Sequence, residues 1–252
     1  MRLDGKVVVI TGAGNGIGAA LARAFGERDA ELVLGDVDAD GVRAVAEEVG
    51  GLAVPGDAAS EAGVAALVDA AMTEHGRIDV YCANAGITGG AGYDEDAWAR
   101  TWEINVMAHV RAARALLPHW LERGEGHFLA TASAAGLLTM LQAAPYSVTK
   151  HAAVAHAEWL AITYGDKGIT AQALCPQGVR TNMLANTGET GKALLGPEAI
   201  DPQQVAELVA EKLGGEEFLI LPHPEVADYY ALRAAQPEKW QAGMRKLQRK
   251  VE

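Results

Sequence analysis

Two kinds of apolar pattern alternate along this chain. Short runs rich in aliphatic and β-branched residues, at 7–10, 31–35, 52–54, 78–82, 127–131, 169–175 and 218–221, read as strands. Between them, apolar residues recur at helical spacing, as in Leu21, Ala24 and Phe25, then Val42, Val45, Ala46 and Val49, then Val64, Leu67, Val68 and Met72. The first strand is apolar without alternation, which predicts burial on both faces. Strand and helix alternate throughout, with no internal repeat, low-complexity tract or linker. The pattern predicts one α/β domain over residues 1–252, a doubly wound parallel sheet of about seven strands with helices on both faces.

The longest helical pattern spans 93–121, through Trp98, Trp102, Val106, Val110, Ala113 and Leu117. Pro118 is expected to bend or end it. Asn105 sits inside it, where Asn has little helical preference, so it is either exposed or hydrogen-bonded into a site. The Trp98/Trp102 pair is read as core or subunit interface. Residues 182–197 are polar, glycine-containing and weakly periodic, and the segment to about 200 is predicted to be a substrate lid. A helix at 202–213 follows, and two helical stretches, at 228–235 and 238–250, make a tail from about 224 to 252.

The candidate chemistry begins where the first strand ends. Thr11-Gly12-Ala13-Gly14-Asn15-Gly16-Ile17-Gly18 joins that strand to a helix, which is the setting of a dinucleotide fingerprint. Glycines let the backbone turn tightly and approach a pyrophosphate at the helix N-terminus. Asp36, at the end of the second strand, stands where a carboxylate bonds a ribose 2′-hydroxyl. It would repel a 2′-phosphate, and neither Asn15 nor Val37 offers a compensating cation, so NAD is favoured over NADP. The bland role for Asp36 is a helix N-cap, with Asp38 and Asp40. Asp57 either accepts from an adenine amine or turns the chain. Asn84 and Gly86 lie at the carboxyl end of the fourth strand, the edge where ligands bind in doubly wound sheets.

The fifth strand delivers Ser133, and Tyr146 and Lys150 follow, four residues apart and so on one helix face. A phenol, with an ordinary pKa of about 10, is a poor base at neutral pH. A nearby ammonium is expected to lower it. With the Ser133 hydroxyl holding a substrate oxygen, the three would transfer protons in alcohol/carbonyl chemistry. Gln142, Met140, Leu141, Met183 and Leu184 are candidate substrate contacts, and the apolar ones suggest an apolar substrate.

Composition narrows the classes of function. The 252 residues are half hydrophobic and carry a formal net charge of −12, which argues against nucleic acid or an anionic membrane as partner. No apolar run is long enough to span a bilayer, and the first residues lack a signal-peptide layout. Cys82 and Cys175 read as reduced core residues, and a cytoplasmic protein is expected. The seven histidines suggest no metal set.

The ordered set of Thr11–Gly18, Asn84-Ala85-Gly86, Asn105, Ser133 and Tyr146-x-x-x-Lys150 resembles the short-chain dehydrogenase/reductase family over about the first three quarters of the chain. The resemblance implies a Rossmann sheet of strand order 3-2-1-4-5-6-7 and a homodimer or homotetramer. It makes Tyr146 the general acid/base, and has Lys150 bind the nicotinamide ribose and lower the phenol's pKa. Ser133 would orient the substrate oxygen, and Asn105 would hold a water linking Lys150 to solvent. Asp36 would bind the adenosine ribose, Asp57 the adenine, Asn84 the cofactor's ribose region and Thr181 the nicotinamide carboxamide. Two departures stand out: Gln177 follows Pro176 where the family has glycine, and Leu221-Pro222-His223-Pro224 with its helical tail replaces a glycine-rich ending. That tail would alter the oligomer interface or cover a substrate pocket. The implied reaction is reversible oxidation of a secondary alcohol to a ketone. A dinucleotide-binding sensor or scaffold without turnover, and an epimerase or dehydratase on the same fold, are the competing classes.

Overall fold

A computed structural model describes residues 1–90 and 92–251. The sheet has seven parallel strands in the order β3-β2-β1-β4-β5-β6-β7. These are β1 (Val7–Thr11), β2 (Glu31–Asp36), β3 (Leu52–Pro55), β4 (Val80–Ala83), β5 (Gly126–Thr131), β6 (Ile169–Leu174) and β7 (Leu219–Ile220). The expected fold class is therefore the observed one. Successive side chains of a strand face opposite sides, and the core divides accordingly. Val8 and Ile10 of β1, Leu32 and Leu34 of β2 and Leu129 of β5 enter one apolar layer. Val9, Val33, Tyr81 and Phe128 enter the other.

The first layer is closed by α1 (Gly16–Gly26), α2 (Ala39–Val49) and α9 (Pro202–Lys212). The second is closed by α3 (Glu61–His75), α5 (Ala108–Arg123) and α6 (Ala144–Tyr164). Asp79, at the foot of β4, is a buried hub: it accepts from Val7 N at 2.8 Å and pairs with Arg123 at 2.7 Å. Burial raises its pKa and these partners lower it more, so the carboxyl lies below its ordinary range.

The helical pattern at 93–121 resolves into α4 (Glu95–Trp102), a π-helical turn (Glu103–Met107) and α5. Asp94 caps α4 by accepting from Ala97 N, and Tyr93 is left outside it, 93% exposed. Trp102 is also exposed, so the core reading of that residue fails. Pro118 does not end the helix, which continues to Arg123. Leu116 and Trp120, both fully buried on either side of it, hold the helix against the sheet, and the Trp120 indole donates to Ile78 O at 2.8 Å. Packing has overridden the proline's preference.

Residues expected to be irregular after 181 form α7 (Asn182–Ala185) and α8 (Gly188–Leu195). The tail is a helical hairpin, α10 (Glu225–Ala235) and α11 (Pro237–Val251). Position 252, the last of the expected tail, lies outside the described residues. No described helix is long and apolar enough to cross a membrane.

Candidate active site

Backbone geometry builds the first half of the site. Gly12 and Gly16 adopt φ of 66° and 55°, in the left-handed region where glycine is favoured. Gly18 is required for a different reason: a Cβ there would stand 2.0 Å from Gly12 O. Asp36 fixes the same turn, accepting from Gly14 N at 2.8 Å and from Asp38 N at 2.9 Å. The cap of α2 is Asp38, which accepts from Gly41 N, so Asp36 is not that cap. Thr11 and Asn84 sew the ends of β1 and β4 together. The Thr11 hydroxyl accepts from Asn84 N and Ala85 N, and Asn84 Nδ2 donates to Thr11 O at 3.0 Å. Thr11 belonged to the glycine motif, but its role as this junction was not legible before the strands were placed.

These ends open onto one cleft of about 1150 Å³. It exceeds the usual volume for one small ligand, roughly 300–1,000 Å³. Gly12, Asn15, Gly16, Ile17, Asp36 and Asp57 line it, as do Asn84, Gly86 and Thr181. Gly18 lies beneath, buried against Gly12. Asp57 accepts from Ala59 N at 3.0 Å, so it turns the chain as well as facing the cleft. Thr181 caps α7 and packs its methyl over Gly16, 3.2 Å from where a Cβ would stand.

Ser133, Tyr146 and Lys150 converge in the same cleft. β5 carries the chain to Ser133, whose Oγ donates to Pro176 O at 3.3 Å and accepts from Ala135 N. Tyr146 lies in the first turn of α6, buried with Ala135 and Ala143. The Lys150 ammonium donates to Thr131 O at 2.8 Å and stands 5.7 Å from the centre of the Tyr146 ring. Burial holds the Lys150 pKa down at about 8.

The phenol's pKa departs from expectation. Burial pushes Tyr146 above the usual phenol range, against the opposing effect of its hydrogen bond to Ser133. The ammonium is bonded to a backbone carbonyl and faces the ring, which leaves desolvation as the dominant influence.

Asn105 is hydrogen-bonded into the site rather than exposed. It is buried in the π-helical turn, and its amide is taken up by protein. Oδ1 accepts from Ile87 N at 2.9 Å, and Nδ2 donates to Ile87 O and to Thr149 Oγ1. The side chain thus clamps the loop after β4 to α6, one residue before Lys150. A Cβ at Gly86 would approach both Asn105 Oδ1 and Lys150 Nζ to 3.2 Å.

Among substrate candidates, Met140, Leu141, Met183 and Leu184 line the cleft. Gln142 does not: its backbone is left-handed, with φ of 57°, and its side chain is exposed away from the lining. Tyr229, Trp240, Met244 and Leu247 of the tail also line it. Their sequence signal was the 240/244/247 spacing, which repeats one helix face. Cys82 and Cys175 are free and buried, and burial pushes the Cys175 thiol up to about 12. Among the described residues, no group of three or more His, Cys, Asp or Glu side chains is arranged to hold a metal ion.

Residues 6–192 match the family model described as short chain dehydrogenase. The chain belongs to the short-chain dehydrogenase/reductase family. This short-chain dehydrogenase/reductase is 34% identical over 239 residues to 1-deoxy-11-beta-hydroxypentalenate dehydrogenase of Streptomyces exfoliatus, covering 89% of this chain and 86% of that protein. Its fold is similar to that of a Burkholderia phymatum short-chain dehydrogenase/reductase solved with NAD. The TM-score is 0.85 at 29% identity, covering 94% of this chain and 96% of that one. A variant actinorhodin polyketide ketoreductase solved with NADPH gives 0.82 at 27% identity, covering 89% and 98%.

Proposed function

We propose that this short-chain dehydrogenase/reductase interconverts a secondary alcohol and a ketone with NAD as coenzyme. The observation that carries the reading is the meeting of Ser133, Tyr146 and Lys150 in the cleft that the glycine turn opens. The hydroxypentalenate dehydrogenase likeness and the NAD complex of the similar structure support it. The turn fits a pyrophosphate, since the close packing of Gly18 on Gly12 leaves backbone alone at the helix start. Gly12, Asn15, Gly16, Ile17 and Gly18 would hold the pyrophosphate, Asp36 the adenosine ribose and Asp57 the adenine. Asn84 and Gly86 would border the ribose region, Lys150 would bind the nicotinamide ribose and Thr181 the carboxamide. Bound there, the dinucleotide supplies the acceptor or donor of hydride.

Tyr146 takes the proton of the substrate hydroxyl during oxidation and returns it during reduction. Ser133 holds the substrate oxygen beside it. Asn105 is a positioning residue, keeping Gly86-Ile87 against α6. The short helices α7 and α8 form the lid. The free buried cysteines suit a reducing compartment, the cytoplasm. An NADH-fluorescence screen against a broad alcohol and ketone library tests the reaction. Binding with no net coenzyme turnover would favour the sensor or the epimerase/dehydratase instead.

NAD preference rests on Asp36, whose carboxylate faces the cleft beside apolar Val37. Of the cations lining the cleft, Arg111 is already paired with Glu103 at 2.7 Å. Asp36→Ala is expected to weaken both coenzymes, because it also frees Gly14 N, and to narrow the NAD-over-NADP ratio by roughly tenfold, the loss of about one charged hydrogen bond. Parallel binding titrations read the ratio, and an unchanged value would remove Asp36 from the ribose.

The chain works as a homodimer or homotetramer. On the outer side of α6, Val148, Ala152, Ala155, Trp159 and Ile162 recur at intervals of four and three, the period of a helix-pairing seam. Val148, Trp159 and Ile162 are exposed, Ile162 by 78%. Pairing with the same stripe of a second copy would cover them. Ile162→Asp is expected to lower the mass found by sedimentation to that of a smaller assembly. An unaltered mass would place the interface elsewhere.

A further inference from the structure

The tail that departs from the family ending is fastened to the reactive centre. Gln177 N donates to His223 Nδ1 at 3.2 Å, just before α10, and Gln177 Nε2 reaches Glu225 Oε1 at 3.5 Å. Gln177 follows Pro176, whose carbonyl accepts from Ser133. Further along α10, Arg233 donates to Leu137 O and meets His151 Nε2, beside Lys150. The two family departures, Gln177 and the His223 segment, are therefore one joint.

From that joint, α11 folds back over the cleft. Trp240, Met244 and Leu247 stand on one face, half-buried, with the Trp240 ring 6.4 Å from that of Tyr229. The apolar face of such a helix ordinarily rests on a core, yet none of the three joins a core layer of the sheet. What they face is the cleft. Leu138, Met140, Leu141, Met183, Leu194 and Leu195 line its other sides. The charged lining residues are Asp36, Asp57, Glu61, Arg100, Glu103 and Arg111, with Lys150 beside Tyr146. None of them comes from α7, α8, α10 or α11.

We infer that the α10–α11 hairpin is a specificity wall, supplied by the chain to its own site, which fits the substrate half of the cleft to a bulky, uncharged, apolar alcohol or ketone. Trp240, Met244 and Leu247 are its specificity-determining residues. This rests on the oxidoreductase reading above. A polyol placed there would find few partners beyond Thr139, Gln177 and Thr187, and α7, α8, α10 and α11 put no cation into the lining for a carboxylate, so both are disfavoured.

The probes are decalol and decalone, as fused-ring apolar substrates, with erythritol as the small polyol. The wild-type protein is expected to oxidise decalol with a kcat/KM at least roughly a hundredfold above that for erythritol. Met244→Asp and Trp240→Ala are expected to raise the KM for decalol roughly tenfold, leaving kcat and NAD binding unchanged. Met244→Leu should restore the wild-type value. Calorimetric binding of decalone to the NAD-loaded protein, compared between wild type and Met244→Asp, gives a readout independent of turnover. Decalone binding that weakens in Met244→Asp without any turnover upholds the wall and overturns the oxidoreductase reading. Turnover of erythritol in preference to decalol, KM values unmoved by the substitutions, or no decalone binding each overturn the wall while leaving the chemistry of Tyr146 to be judged by its own variant.

Discussion

Tyr146→Phe is expected to lower turnover roughly a thousandfold, within the range for loss of a positioned acid/base, with dinucleotide binding nearly unchanged. The ring is buried beside Ala135, Ala143 and partly buried Met140, and Phe keeps those contacts. The Lys150 ammonium, bonded to Thr131 O and facing the ring, keeps its place as well. Only the hydroxyl next to Ser133 is lost. Because burial holds the phenol above its usual pKa, it is protonated at neutral pH in the unliganded protein. The wild-type enzyme should therefore oxidise alcohols faster as pH rises and reduce ketones faster as it falls. Steady-state kinetics in both directions, with a coenzyme titration of the variant, check this. Near-normal turnover by Tyr146→Phe would mean that another group moves the proton.

Those residues were legible because local spacing encodes them. The i, i+4 separation places Tyr146 and Lys150 on one face of any helix, and a buried parallel strand announces itself by an apolar run such as Val7–Ile10. The glycine turn was legible for the same reason, since its neighbours in space are its neighbours in sequence. What spacing does not encode is competition. Whether burial or a cation sets the phenol's pKa depends on where the ammonium bonds, and that is decided by Thr131, nineteen residues away. Pro118 continues a helix because Leu116 and Trp120 are buried together, a fact of packing. Asn105 was rightly singled out as unusual in a helix. Its partners, Ile87 and Thr149, come from two other elements and appear only once the chain is folded. The joint between Gln177 and His223 is equally non-local: two separate oddities in the sequence meet across forty-six residues.

Lys150→Met should separate stability from activity. The ammonium is almost fully buried, and its pKa of about 8 lies below the ordinary 10.5 because the folded protein disfavours the charge. A gap of that size corresponds to about 3 kcal/mol of destabilisation at neutral pH. The sign follows from proton counting. Between pH 8 and 10.5 the unfolded chain binds more protons at this residue than the folded one does, so its contribution to stability improves as pH rises. Below pH 8 the cost is present in full. Met has a similar length and no charge, but it leaves Thr131 O without its donor, which costs about 1–3 kcal/mol. At pH 7 the variant is thus expected to be as stable as the wild type or more so. Its advantage should shrink by about 2.5 kcal/mol when both are compared at pH 10. Urea unfolding of the two proteins at each pH measures this difference, in which the titration of all shared groups cancels. A constant difference would mean that the ammonium is not desolvated as its surroundings demand. Turnover, in contrast, should fall roughly a hundredfold or more, as for loss of a group that assists acid/base transfer. A variant that is stabler at neutral pH and nearly inactive would show that the fold carries this cation at a cost because the site requires its charge.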